Sequence, residues 1–318
     1  MTNYIIRRIL WLIPTLFFVT IITFLLCRWV PGTAVDVIES TLSQGGTVNI
    51  DRAAIAHMLG LDVPVYTQYM RWVSGIILHG NFGTSIIQGR PVLTMVVERM
   101  PVTLELGIIG LVIGQLLSLP LGVITAAKQD SPVDYILRIF SIVLVALPQF
   151  WVGTMVMIYP SVWWGWSPPV ELIQFTKDPL GNLGMFLLPG FIMGITTMGM
   201  SLRFVRTMML EVMRQDYIRT AWSKGLTETV VVTRHAVKNA FIPVITMLGG
   251  SLAMLFGGAV FIEQIFCLPG MGLLMLQALN QRDYPLIQAI TLFMSIIVMF
   301  SNLLVDISYT WLDPRIRY

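Results

Sequence analysis

Residues 201–243 read SLRFVRTMMLEVMRQDYIRTAWSKGLTETVVVTRHAVKNAFIP. Seven of the chain's 20 lysines and arginines fall here: Arg203, Arg206, Arg214, Arg219, Lys224, Arg234 and Lys238. The stretch separates two long apolar runs, and so basic a connection between such runs belongs on the cytoplasmic side of a membrane. It is also patterned as a helix. Tyr217, Ile218, Ala221 and Trp222 recur at i, i+1, i+4 and i+5, one stripe of a helix. Asp216, Arg219, Thr220, Ser223 and Lys224 take the other side, and Gly225 stands where a glycine ends a helix. The pattern predicts a short amphipathic helix displayed beneath a membrane bundle as a docking element.

Composition explains why a bundle should lie above it. The chain is 56% hydrophobic and 12% charged, about half the charge of a soluble domain. Its mean hydropathy is +0.78. The core of a soluble domain of 318 residues has no room for this much apolar surface, so lipid must cover it. Six runs are long and apolar enough to cross about 30 Å of hydrocarbon: approximately residues 9–27, 102–127, 135–159, 186–202, 241–262 and 285–307. The fourth is the shortest, and its helix is expected to continue into the basic loop.

Charge sets the orientation. Of the basic residues in short connections, thirteen lie on the side of the amino terminus and only Lys177 and Arg282 on the other. Both termini are therefore expected in the cytoplasm. The first outer loop, residues 28–101, is long enough to be exempt from this rule, and its five basic and five acidic residues balance. Its pattern predicts a small folded cap, with helices over 51–60 and 64–78 and a turn at Gly80–Gly83. Two readings of this cap stand side by side: a structural cover, or a contact surface for an extracytoplasmic partner. The amino terminus, with Arg7 and Arg8 before an apolar run that lacks a cleavage site, is expected to be an uncleaved anchor. Cys27 and Cys267 read as isolated thiols, with no Cys/His cluster of metal spacing.

The chain carries no G-x-x-x-x-G-K-[ST] phosphate loop, H-E-x-x-H or G-x-S-x-G, so neither ATP hydrolysis nor covalent chemistry is expected of it. His57, His79 and His235 fall in separate loops. Proton-coupled carriers need ionisable groups within the spans, and these are nearly absent. Glu105 is the partial exception, about a turn into the second span. It has two readings: snorkelling or pairing with Arg99, or lining a substrate path. Asp306 reads as a helix-end group. Pro120 and Gly122, Pro148 and Gly153, and the pairs Gly249–Gly250 and Gly257–Gly258 interrupt spans. They allow close helix approach or kinks around a central path.

The segment 216–226, DYIRTAWSKGL, followed by RHAVKNAFIP at 234–243, resembles the cytoplasmic "EAA" motif of ABC importer permeases, specifically their dipeptide, oligopeptide and nickel branch. The likeness extends across the chain. The opening from Tyr4 to Pro14, the segments GLDVP at 60–64 and GNFGTS at 80–85, Glu263 to Gly272, and Arg282 to Pro285 are all similar to that branch. Arg219-Thr220-Ala221 replaces the broader family's Glu-Ala-Ala, and Val237-Lys238 stand where Leu-Pro is usual. Both departures favour the peptide branch. The cluster Trp163-Trp164-Gly165-Trp166 reads either as an interfacial belt or as part of an outer gate.

The resemblance implies an all-α, six-span permease of the type I importer fold. Residues 1–27 would form the tail and first span, 28–101 the extracytoplasmic cap, and 102–318 a five-helix core containing the coupling loop 203–243. Implied partners are a second homologous permease (distinct or a second copy), two cytoplasmic ABC ATPase subunits that bind ATP and Mg, and an extracytoplasmic substrate-binding protein. The setting is a bacterial or archaeal plasma membrane, with lipid around the chain, no nucleic acid and no cofactor in this chain. Asp216, Tyr217, Arg219, Thr220, Ala221, Lys224, Gly225 and Leu226 would couple to the ATPase, with the apolar stripe, Ala221 included, seated in its groove. Glu105, Pro148, Gly257, Gly258 and Glu263 are the candidates for a path or gate. Peptides are the implied cargo, with nickel chelates or glutathione-like compounds as alternatives. A secondary transporter would need internal repeats and midplane ionisable groups, which the sequence does not show.

Overall fold

In lipid a backbone has to satisfy its own hydrogen bonds, and a helix does so within one segment. The computed structural model of the chain is helical accordingly. It describes residues 2–29, 35–36, 39, 52–53, 57, 62–169 and 171–312. Most of the helix expected over 51–60, the side chain of Asp306, and Arg315 and Arg317 lie outside the described residues.

The elements are α1 (Thr2–Trp29), α2 (Val65–His79), α3 (Val92–Ala127), α4 (Pro132–Ala146), α5 (Gln149–Trp164), α6 (Pro179–Met213) and α7 (Asp216–Ser223). After them come α8 (Val237–Ile265), α9 (Met271–Gln281) and α10 (Tyr284–Leu312). A turn at Glu228–Val230 and a wider π-wound stretch, Val231–Ala236, lead into α8. The fourth apolar run does continue into the basic loop, because α6 is 35 residues long.

Among the described residues, four helices are long and apolar enough to cross a membrane alone, and the number rises to six if each of two bent pairs is one span. The run expected over 135–159 is one such pair. It breaks by 90° between α4 and α5, at Leu147 and Pro148. A residue before proline is pushed out of the helical region, and Leu147 is extended at φ −78°, ψ 119°. The other pair bends by 55° between Glu228–Ser251 and Phe256–Ile265.

The chain divides into two compact units. The unit built from residues 6–102 and 269–299 has a core that includes Val92, Val96, Met271, Ala278 and Ile290. Its outer-loop segment is tied down by a buried carboxylate: Asp283 accepts from Ser85 Oγ and from the Ile86 amide (3.2 Å). Two segments that carry the family likeness, 80–85 and 282–285, therefore meet. The helix expected over 64–78 is α2, closed by Gly80 in the left-handed region.

The other unit, residues 103–268 with the chain ends, is organised around α6. A β-carbon on Gly194 would stand 2.6 Å from the Gly110 carbonyl oxygen, and one on Gly114 would stand 3.1 Å from that of Gly194. So α3 and α6 touch backbone to backbone. Gln115, buried in α3, accepts from Ser201 Oγ of α6 at 2.8 Å.

Candidate functional site

The loop between α6 and α8 begins with Gln215 in extended conformation, which turns the chain out of α6 and lets Asp216 start α7. Asp216 in the first turn suits the positive end of the helix dipole. Beyond the last turn Gly225 adopts φ +75°, a left-handed conformation in which a side chain costs about 1 kcal/mol. The amphipathic helix and its glycine stop stand where the pattern placed them.

The faces of this helix differ from the expectation in one important way. Ile218 is 0% exposed and Ala221 5%. Both pack into the chain's own core with Val205, Met209, Val231, Val232 and Ala236. Leu226 is half-buried against the same cluster. Ala221 and Ile218 therefore do not face outward to a groove on another protein. Their apolar surface glues α7 to the body of this chain, and burying Ile218 contributes about 2 kcal/mol to that seating. The outward set consists of Asp216, Tyr217, Arg219, Thr220, Trp222, Ser223 and Lys224, all exposed. Asp216 and Arg219 are 3.4 Å apart across one turn. Tyr217 and Trp222 remain 43% and 42% exposed, aromatic surface available to a partner.

Tyr217 is held in place by the second half of the motif. Asn239 Nδ2 donates to the Tyr217 hydroxyl at 2.9 Å and to the His235 carbonyl at 3.2 Å. Beside this contact lies a cavity of about 700 Å³, lined by residues that include Met208, Glu211, Gln215, Tyr217, Asn239 and Pro243.

A charged knot in the same unit was not anticipated from the sequence. Asp134, fully buried at the start of α4, accepts two hydrogen bonds from Arg206 of α6, both 2.8 Å, and one from the Asp130 amide at 3.0 Å. Arg138 stands 3.5 Å from the same carboxylate. A fork of guanidinium on carboxylate satisfies both groups at once, which is what a carboxylate within a membrane protein requires. In the sequence Arg138 and Arg206 count only as orienting charges. The available signal was an acidic residue and two arginines near the ends of adjacent apolar runs.

The path candidates lie on or beside α3, α5 and α8. Glu105 is half-buried and accepts from Asn182 Nδ2 at 3.4 Å; Asn182, not Arg99, is the partner that the structure provides. Glu263 is enclosed and accepts from Thr103 Oγ1 at 2.6 Å. Pro148 and Gly257 are exposed, and Gly258 lies against Gln149, whose amide nitrogen Nε2 donates to the Met193 carbonyl at 3.0 Å. Gly257, Gly258 and Glu263 share α8 within two turns, and their contacts reach Gln149 of α5 and Thr103 of α3.

The short helix α7 is thus seated on the basic loop of a body whose helices are long and apolar enough to cross a membrane. The comparisons identify the family. Residues 118–318 match the binding-protein-dependent transport system inner membrane component, and residues 1–107 match the N-terminal region of such membrane components. The chain belongs to this family and is an integral permease subunit of the ABC importer class. It is 37% identical to the oligopeptide transport system permease protein AppB of Bacillus subtilis (strain 168), with 100% of each chain covered. It is 34% identical to the glutathione transport system permease protein GsiC of Escherichia coli (strain K12), again with 100% of each covered. Among solved structures, a crystal structure of an amino acid ABC transporter with histidines matches with a TM-score of 0.53 at 14% identity, covering 69% of this chain and 94% of that one. This last likeness concerns the fold alone.

Proposed function

We propose that this permease forms half of the translocation path for short peptides, driven through α7 by a cytoplasmic ATPase. The observation that carries the reading is the division of α7 into two faces. Ile218 and Ala221 lock it to the body of the chain, while Tyr217, Arg219, Trp222 and Lys224 are turned outward. A helix so seated moves as one piece with the ends of α6 and α8. Rigid-body motion passes through packed contacts of this kind. Two ATPase subunits, holding ATP and Mg themselves, would grip the outward face here and on a second, similar permease. A substrate-binding protein would deliver cargo at the other membrane face. No catalytic residue is assigned to this chain.

Peptide cargo is supported by the oligopeptide permease that matches over the full length. The glutathione permease points to a neighbouring chemistry, since glutathione is itself a small peptide. The basic loop supports a cytoplasmic position for both termini and α7, and the bacterial relatives support a bacterial or archaeal plasma membrane as the setting. Cysteines introduced as Thr2→Cys and Thr227→Cys should then resist an impermeant reagent applied to intact cells.

The decisive experiment purifies the intact complex, identifies its subunits and bound small molecules by mass spectrometry, and measures uptake of labelled di- and oligopeptides. Arg219→Glu should release the ATPase subunits while membrane level holds. Ala221→Glu, which puts a carboxylate into the core, should lower the membrane level itself. Uptake of a nickel chelate without any peptide uptake would overturn the cargo assignment.

A further inference from the structure

The face of α2 that points away from α1 has a depth in the membrane that the chain itself fixes. Twenty residues separate Arg8 from Arg28 in α1. That is a helical rise of about 30 Å, the thickness of the hydrocarbon layer, also about 30 Å. These two arginines mark its boundaries, because a charged group is costly to hold within hydrocarbon.

Phe24 lies one turn inside Arg28, about 6 Å below the boundary, and it is there that α2 crosses. The Tyr69 and Trp72 rings stand 5.4 and 6.1 Å from that of Phe24. The Tyr69 hydroxyl is 3.0 Å from Thr20 Oγ1, one turn deeper still. Arg28 donates to the Gln68 amide oxygen from the boundary.

On the side of α2 not used by these contacts, Tyr66, Met70, Ile77 and Leu78 are 72%, 64%, 74% and 72% exposed. The helix contains no carboxylate, and its only basic groups are Arg71 and His79. The stripe is continuous in depth with the exposed Ile22, Leu25, Leu26 and Trp29 of α1, which lipid covers. We propose that α2 lies in the membrane interface, with Tyr66, Met70, Ile77 and Leu78 set among lipid acyl chains, and that this face is a lipid contact rather than a receptor surface for a protein. Interfacial helices sit about 5–10 Å into the headgroup and acyl boundary, the depth at which Phe24 holds this one. Of the two readings of the outer loop, this part of it becomes a membrane anchor. The proposal does not depend on the cargo.

The test places single cysteines by Met70→Cys, Ile77→Cys and, as a control in the preceding segment, Asp62→Cys, in a Cys267→Ser background. Each carries an environment-sensitive fluorophore, and the whole transporter is reconstituted into phospholipid nanodiscs. Doxyl-labelled lipid should quench the Met70 and Ile77 sites several-fold more than the Asp62 site, and iodide should do the reverse. Adding the binding protein should change neither. Iodide access at Met70 and Ile77 equal to that at Asp62 overturns the proposal. So does shielding that arises only with binding protein, which would make the stripe a protein-docking surface. Photo-crosslinking of the unsubstituted chain with a diazirine lipid gives a reading free of folding effects. Adducts on residues 66–78 are expected, and labelling of α1 without them overturns the assignment.

Discussion

Helices α6 and α8 belong to the same unit and both carry several glycines, but they use them differently. On α6, β-carbons at Gly190, Gly194 and Gly199 would lie 2.5, 2.6 and 2.8 Å from Ile109, the Gly110 carbonyl and the Ser141 carbonyl. On α8, Gly258 is closed off by Gln149 and Gly249 by Asn302, but Gly250 and Gly257 have nothing within 4 Å. These two stand on either side of the 55° bend in α8. A glycine against a backbone is a packing device that the chain completes alone. An open glycine is surface that the described residues of the single chain leave unfilled. Motif counting in the sequence treats the two cases alike.

The largest effect should come from the knot that fixes α6 to α4. Arg206→Ala leaves the buried Asp134 carboxylate without its fork, and the cost should be about 3 kcal/mol, the low end for such a loss, because Arg138 stays 3.5 Å away. Thermal unfolding in detergent measures it. Pairing the change with Asp134→Asn should recover part of the loss, and a double variant no better than Arg206→Ala would show that the knot contributes little.

Next comes Gly194→Ala, which drives a methyl group into the Gly110 backbone. Overpacking of this kind costs about 2 kcal/mol and should appear as reduced membrane accumulation and a lower melting temperature. An unchanged melt would mean that α3 and α6 are not in the contact described.

Smaller in stability but larger in activity is Gly225→Val. The left-handed stop of α7 is strained by about 1 kcal/mol, so the chain should insert normally while peptide uptake falls. Gly225→Asn, which tolerates that conformation, should retain most uptake. Equal loss in both variants would remove the backbone explanation.

The smallest effect on the isolated subunit is expected for Gly257→Ala. With open space around it, alanine should be neutral or gain up to about 1 kcal/mol from helix propensity. Uptake by the assembled importer should nevertheless drop. Destabilisation of the subunit alone would break the contrast between α6 and α8; unchanged uptake would leave the open glycine without a role.

Much of the fold was legible because lipid imposes simple rules. Apolar length located the helices, and the periodicity of residues 217–222 with Gly225 located α7 almost to the residue. The turn at Pro148 was visible as a proline but not as a right angle, because the angle depends on how α4 and α5 pack against α6 and α8. The inward placement of Ala221 was out of reach for a related reason. Periodicity identifies an apolar face, yet whether that face meets its own chain or another is decided by residues such as Met209 and Val232 that arrive from elsewhere. Asp134 shows the same limit. Its partner Arg206 is 72 residues away, and single-sequence spacing carries no information at that range.

Helix α6 is unbroken over 35 residues, a rod about 52 Å long in a hydrocarbon layer of about 30 Å. Such a length would act as a lever. Turned about its midpoint, each ~10° of tilt carries its end through about 4–5 Å, nearly the pitch of a helical turn. Because Arg214 and Gln215 alone separate that end from α7, a modest rotation within the bilayer would become a large displacement of α7, geared by length.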